Sequence, residues 1–166
     1  MIKKEFLQFD HQMMEEALLE ARLAFEEGEV PVGAVLALEG KVVARAHNQV
    51  ERLKDPSAHA ELLCIRAGAD FLGDWRLLNA TLYTTLEPCL MCAGALLLSR
   101  VKRVVWGAPD LRHGAHGSYL NVFDTKHPTH TLSIEGGLLE SSSATLMKEF
   151  FRKQRGKHEK IAHRAL

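Results

Sequence analysis

Two short runs in this chain carry residues able to bind a metal and move a proton. His59-Ala60-Glu61 and Pro88-Cys89-Leu90-Met91-Cys92 lie about 30 residues apart, each at the start of an expected helix. Singly, a Cys-x-x-Cys pair also suits a thioredoxin-like redox site, and His-x-Glu arises by chance in many chains. Together they point to a metal. A helix N-terminus carries partial positive charge and free N–H groups, which stabilise thiolates, and zinc takes cysteine only as the thiolate. Two sulfurs and one nitrogen fill three positions of tetrahedral zinc and leave the fourth open, the pattern of a catalytic site rather than a structural one. Water in that position has its pKa lowered from near 16 towards about 7. His59, Cys89 and Cys92 are therefore the expected ligands of one zinc ion. Residues two apart on a regular helix point away from each other, so Glu61 is expected beside the water as proton carrier and not as a fourth ligand. Cys64 is the one residue that could close the fourth zinc position, but it lies in an Ala/Leu-rich stretch and reads as a small buried apolar side chain.

The elements that must position these groups follow from periodicity and turn chemistry. Asp10 to Gly28 repeats Met13, Met14, Ala17, Leu18, Ala21 and Phe25 at three- and four-residue steps, which predicts an amphipathic helix capped by Asp10 and stopped by Gly28. Val32 to Leu38 and Lys41 to Ala46 flank Glu39-Gly40 as a β-hairpin. Asp55-Pro56-Ser57 starts a helix over Ala58 to Ala69, with Gly68 and Gly73 as breakers. A strand over Thr81 to Leu86, a helix over Leu90 to Ser99 and a strand over Arg103 to Gly107 come next. Ala108 to His130, rich in Gly, His, Pro and Asp, is a loop long enough to suggest a functional role. A last helix is expected over Ser142 to Arg155. Helices alternating with strands favour an α/β layered sandwich.

The 166 residues are 46% hydrophobic and 25% charged, with 21 basic against 21 acidic side chains. This composition fits one folded domain and argues against disorder. The longest apolar run, Cys89 to Leu98, is about half of the roughly 20 residues a spanning helix needs, and Met1 to Phe6 lacks a signal-peptide apolar region. Three cysteines are too few, and odd in number, for a secreted disulfide framework. A soluble cytoplasmic protein with no membrane partner is expected.

The paired motifs resemble those of the zinc-dependent cytidine/deoxycytidylate deaminase superfamily, and more specifically the bacterial tRNA-specific adenosine deaminases. The matching stretches are Glu29 to Val35, Asp55 to Glu61, Thr84 to Ala95, Arg103 to Asp110, Gly114 to Ser118 and Phe150 to Arg152. Trp106, Arg112 and Leu86 depart from the pattern. The resemblance spans residues 10–155. It implies a three-layer α/β/α sandwich with a central mixed sheet, one zinc per subunit and a homodimer that converts adenosine to inosine at the wobble position of a tRNA anticodon arm. It implies zinc ligation by His59, Cys89 and Cys92, proton transfer by Glu61, and substrate binding by Asn48, against the target nucleotide, and by Asp110, in the loop that borders the RNA-binding face. The rival activities are deamination of free guanine, cytosine or nucleosides, and a non-catalytic zinc-binding RNA module.

Net charge is unevenly spread. Residues 148–166 hold seven basic and two acidic side chains, a local net of plus five, and the first 147 residues sum to minus five. Phe151, Arg152, Lys153 and Arg155 combine an aromatic ring with cations, a pairing suited to a splayed single-stranded RNA loop. Residues 1–155 are read as the deaminase domain and 156–166 as a basic tail, left open to disorder until RNA binds. His113, His116, His127 and His130 match no zinc spacing and are read as surface or RNA-proximal loop residues.

Overall fold

The computed structural model describes residues 6–162, with side chains described as far as residue 156. α1 (Gln8–Glu27) leads into the hairpin β1 (Gly33–Leu38) and β2 (Lys41–His47), then α2 (Val50–Leu53) and α3 (Ala60–Leu72). β3 (Thr81–Leu86), α4 (Leu90–Leu98), β4 (Arg103–Ala108), β5 (Ser133–Gly136) and α5 (Glu140–Ala162) complete the order. The five strands form one mixed sheet in the order β2-β1-β3-β4-β5. β1 runs antiparallel to both β2 and β3, and β4 runs parallel to β3 and β5. At the hairpin, Glu39 (φ 50°) and Gly40 (φ 76°) both take left-handed conformations, the turn whose twist matches paired strands.

Strand alternation sorts the core into two layers. Val35, Ala37, Tyr83 and Val105 face Met13, Met14 and Ala17 of α1. Ala34, Leu36, Leu82 and Val104 face Ala60 and Cys64 of α3 and Leu96 of α4. α5 packs on β4 and β3 beside α1, so helices cover both faces and the sandwich has three layers. α1 lies so close on β1 that a Cβ at Gly33 would run into the Ala17 carbonyl, which makes glycine obligatory there.

Several expectations are corrected. Asp10 is not the helix cap: α1 begins two residues earlier, and Asp10 is the third helical residue, its Oδ2 accepting the Leu7 N–H at 3.0 Å. Its other contacts are tertiary. Tyr83 Oη donates to it at 2.8 Å, and the Arg103 guanidinium grips both its oxygens at 2.6 and 3.1 Å. Gly68 does not break α3, because its bare Cα is where Leu36 packs, and Gly73 (φ 67°) ends the helix. α2 and β5 were not expected from sequence, being only four residues each. α5 runs through Ala162, so the boundary at residue 156 falls inside a helix; residues 163–166 of the expected tail lie outside the described residues.

Candidate active site

Helix capping brings the two motifs together. His59 is the residue that precedes α3, and Cys89 the residue that precedes α4, both with extended backbones. Neither caps its helix through a side-chain hydrogen bond, so both side chains are available for other work. Cys92 follows one turn into α4. His59 Nδ1, Cys89 Sγ and Cys92 Sγ form a near-equilateral triangle, each pair 3.6 Å apart. Tetrahedral zinc with Zn–S of about 2.3 Å and Zn–N of about 2.0–2.1 Å requires S···S of about 3.8 Å and S···N of about 3.6 Å. The triad fits zinc without rearrangement. These three side chains form the one group among the described residues placed to share a metal. Glu61 and Cys64 are not in it.

Cys64 is instead fully buried in the core among Leu36, Ala44 and Leu82, and burial pushes its thiol up, away from the thiolate a metal needs. Glu61, at the second residue of α3, is 4% exposed. Burial raises its carboxyl to about 7; its own backbone N–H and the His59 charge oppose the rise, and the Cys89 charge adds to it. Within the triad, the hydrogen bonds from the Cys92 thiol and His59 hold Cys89 down at about 4 against the opposing pull of burial. The bond to Cys89 also pushes His59 up. The site thus pairs a ready thiolate with a buried acid that titrates near neutrality.

The backbone next to Asn48 is tied to the segment that leads into His59: the Gln49 N–H donates to the Ala58 carbonyl at 3.0 Å. Asn48 is buried, and its Nδ2 donates to Glu29 Oε2 at 3.4 Å. The same Glu29 carboxylate accepts the Glu51 and Arg52 N–H groups at 3.2 and 2.8 Å, closing the N-terminus of α2. Asp110 sits in the loop after β4. Its Oδ1 accepts the Arg112 and His113 N–H groups at 3.0 and 3.2 Å, and its own N–H donates to Glu87 at 3.1 Å. Sequence reasoning gave Glu29 and Glu87 no role. Both are acids set in apolar runs, Glu29-Val30-Pro31-Val32 and Leu86-Glu87-Pro88-Cys89, and a charge so placed needs internal partners.

Other expected residues lie apart from the triad. Phe151, Arg152, Lys153 and Arg155 are all exposed on α5, where Lys153 Nζ stands 5.1 Å over the Phe25 ring and Phe151 packs edge-on against Phe150. Of the loop histidines, His113 is exposed and ion-paired with Asp110. His116 is half-buried in the loop: it accepts the Trp106 indole N–H at 3.0 Å and packs edge-on against Phe123. His130 binds the Val101 carbonyl at 2.7 Å.

Comparison with known proteins agrees with this geometry. Residues 7–108 match the model of the cytidine and deoxycytidylate deaminase zinc-binding region. The tRNA-specific adenosine deaminase of Bacillus subtilis is 46% identical over 95% of this chain and 97% of its own length. The chloroplastic tRNA(adenine(34)) deaminase of Arabidopsis thaliana is 48% identical over 86% of this chain, which covers 12% of that longer protein. A solved structure from work on A-to-I editing by tRNA:A34 deaminases at the wobble position of transfer RNA superposes with a TM-score of 0.78 at 46% identity, covering 81% of this chain and 98% of that one.

Proposed function

The chain belongs to the family of the cytidine and deoxycytidylate deaminase zinc-binding region, and from that membership we propose that it hydrolyses adenosine to inosine at the wobble position of a tRNA anticodon. The observation that carries this reading is the near full-length match to a bacterial tRNA-specific adenosine deaminase. His59 Nδ1, Cys89 Sγ and Cys92 Sγ would hold one zinc ion. When bound, zinc lowers the pKa of a water from about 16 to about 7, so that hydroxide is available at neutral pH.

Water adds to the purine carbon that bears the exocyclic amine. Glu61 takes the proton that this addition releases and passes it to the adjacent ring nitrogen; it then carries the proton of the added hydroxyl to the exocyclic amine, which leaves as ammonia while the carbonyl of inosine forms. A carboxyl raised to about 7 suits both halves of that transfer, because a proton carrier works best with a pKa near the working pH. Asn48, its amide nitrogen held by Glu29, offers its carbonyl oxygen to the target nucleotide. Asp110 meets the RNA at the rim. The anticodon loop is already single-stranded, so its wobble base can be turned into the pocket at less cost than from a duplex.

Incubation with an anticodon stem-loop bearing a wobble adenosine tests the assignment: inosine should appear at that position. Turnover of free guanine, cytosine or nucleosides with none on the stem-loop overturns it. The setting is the cytoplasm, where tRNA is modified. No helix among the described residues is long and apolar enough to cross a membrane.

RNA also engages the exposed face of α5. Replacing Arg152, Lys153 and Arg155 together with Gln should weaken stem-loop binding and reduce the slope of log K against log salt by about 2, since each single-strand phosphate contact contributes about 0.7. Zinc content should not change. An unaltered slope would make the basic stripe incidental.

The enzyme acts as a homodimer. Leu90 and Leu98, two turns apart on α4, are 56% and 67% exposed, and a second copy covers this apolar side of the helix. Sedimentation equilibrium should give twice the chain mass, and Leu98→Glu should shift it towards the monomer.

A further inference from the structure

The loop after β4 is rich in Gly, His, Pro and Asp, and its first half is bound to a single buried side chain. Glu87 is 1% exposed and closes β3 two residues before Cys89. Its Oε1 accepts the His116 and Ser118 N–H groups at 2.8 and 3.2 Å. Its Oε2 accepts the Asp110 N–H at 3.1 Å and the Ser118 hydroxyl. Four donors, from three residues spread over residues 110–118, converge on one carboxylate. Desolvating a carboxylate is costly, and this one is compensated entirely by donors of the loop that it organises.

Further bonds carry the same loop onto the site. The Ala115 N–H donates to the Pro88 carbonyl at 2.9 Å, and Gly114 forms a bridge with Cys89. A Cβ on Gly114 would collide with the Glu87 carboxyl, so the loop approaches as closely as a backbone can. While Glu87 holds this inner edge, Leu111 and Tyr119 of the same loop are 77% and 67% exposed.

We propose that Glu87 is a positioning residue: its carboxylate fixes the 110–118 loop against Pro88-Cys89, and so presents a preformed surface to the nucleotides around the target base. This rests on the tRNA reading above. Glu87 does not touch the reacting atoms; it acts through Asp110, His116 and Ser118. Preorganisation of this kind lowers the ordering cost of binding, and its loss appears in affinity before it appears in chemistry.

The test compares steady-state constants for an anticodon stem-loop in the zinc-loaded enzyme. Glu87→Gln substitutes an amide NH2 for one accepting oxygen and turns it towards donors. KM should rise roughly tenfold, equivalent to about 1.4 kcal/mol, with kcat within about twofold of the parent. Ser118→Ala removes one donor and leaves the buried acid, so it decides the matter if Glu87→Gln does not fold. It should raise KM roughly two- to threefold with the same unchanged kcat, and Ser118→Thr, which keeps the hydroxyl, should restore it. Unchanged KM in both variants, or a fall in kcat at constant KM, overturns the positioning role and leaves Glu87 a stabiliser of the fold. If the parent enzyme does not turn over the stem-loop at all, the tRNA reading falls and this proposal falls with it.

Discussion

Glu61→Gln should lower turnover of a wobble-adenosine stem-loop by roughly 10²–10⁴-fold, the usual contribution of a positioned proton carrier. The substitution keeps shape and hydrogen-bonding reach at a residue only 4% exposed, so the loss cannot be ascribed to a cavity. Zinc should remain at one per chain, because the three atoms spaced to hold it belong to His59, Cys89 and Cys92 and not to Glu61. Metal analysis and single-turnover rates on the same samples separate the two effects. Cys64→Ala is the companion measurement: zinc should again stay bound, since that thiol lies in the core outside the triad. Undiminished activity in Glu61→Gln would take Glu61 out of the proton path and overturn its role as proton carrier. Loss of zinc in Cys64→Ala would close the fourth coordination position and remove the place where water must sit.

Asp10→Ala should cost about 3–5 kcal/mol, the range for breaking a buried ion pair by removing one partner. It strands Tyr83 Oη and Leu7 N–H and leaves Arg103 with Glu135 alone. For a chain of this length the melting temperature should fall on the order of 10 °C. The pH dependence has a definite sign. Burial pushes the Asp10 carboxyl up, but the bonds from Arg103, Tyr83 and the Leu7 N–H together outweigh it and hold the folded-state pKa below the ordinary 3.8. The stabilisation is complete above 3.8, declines as pH falls below it, and is gone once pH passes the lower folded-state value. Urea midpoints measured from pH 6 downward should therefore fall less steeply below about pH 4 in Asp10→Asn than in the parent. Parallel curves would show that Asp10 is not held ionised.

The contrast between Asp10 and the triad shows what can be read along a chain. His59, Glu61, Cys89 and Cys92 are legible because their spacing and helix-start chemistry are local, and two such runs together are rarely accidental. Asp10 looked like a cap because Asp near the start of an amphipathic run usually is one. Its partners, Tyr83 and Arg103, lie 73 and 93 residues away, and no local pattern encodes them. Glu29 and Glu87 were passed over for the same reason: their donors come from separate segments brought together by the sheet. α2 and β5 escaped because four residues are too few to set a period. Gly68 misled because a helix interior tolerates glycine where a neighbour such as Leu36 needs the space. The alternation of helices and strands carried the layered architecture, but not the antiparallel β1–β3 pairing, which depends on contacts some 40–50 residues apart.

The sheet has two free ends, and their composition bears on how the protein behaves when crowded. An exposed edge strand offers unpaired backbone groups to any passing chain and is a common seed for fibrillar stacking. Here β5 is only four residues long, and Glu135 within it is engaged by Arg103. β2 carries Lys41 and Arg45, and two of its side chains reach α1: Arg45 pairs with Glu16 at 3.0 Å, and the His47 ring lies between Glu20 and Glu27. One edge is too short to template a neighbour and the other carries two cations, Lys41 and Arg45. Aggregation of this protein should therefore begin from opened molecules rather than from native sheet edges, so its shelf life should follow its unfolding rate and not its concentration alone.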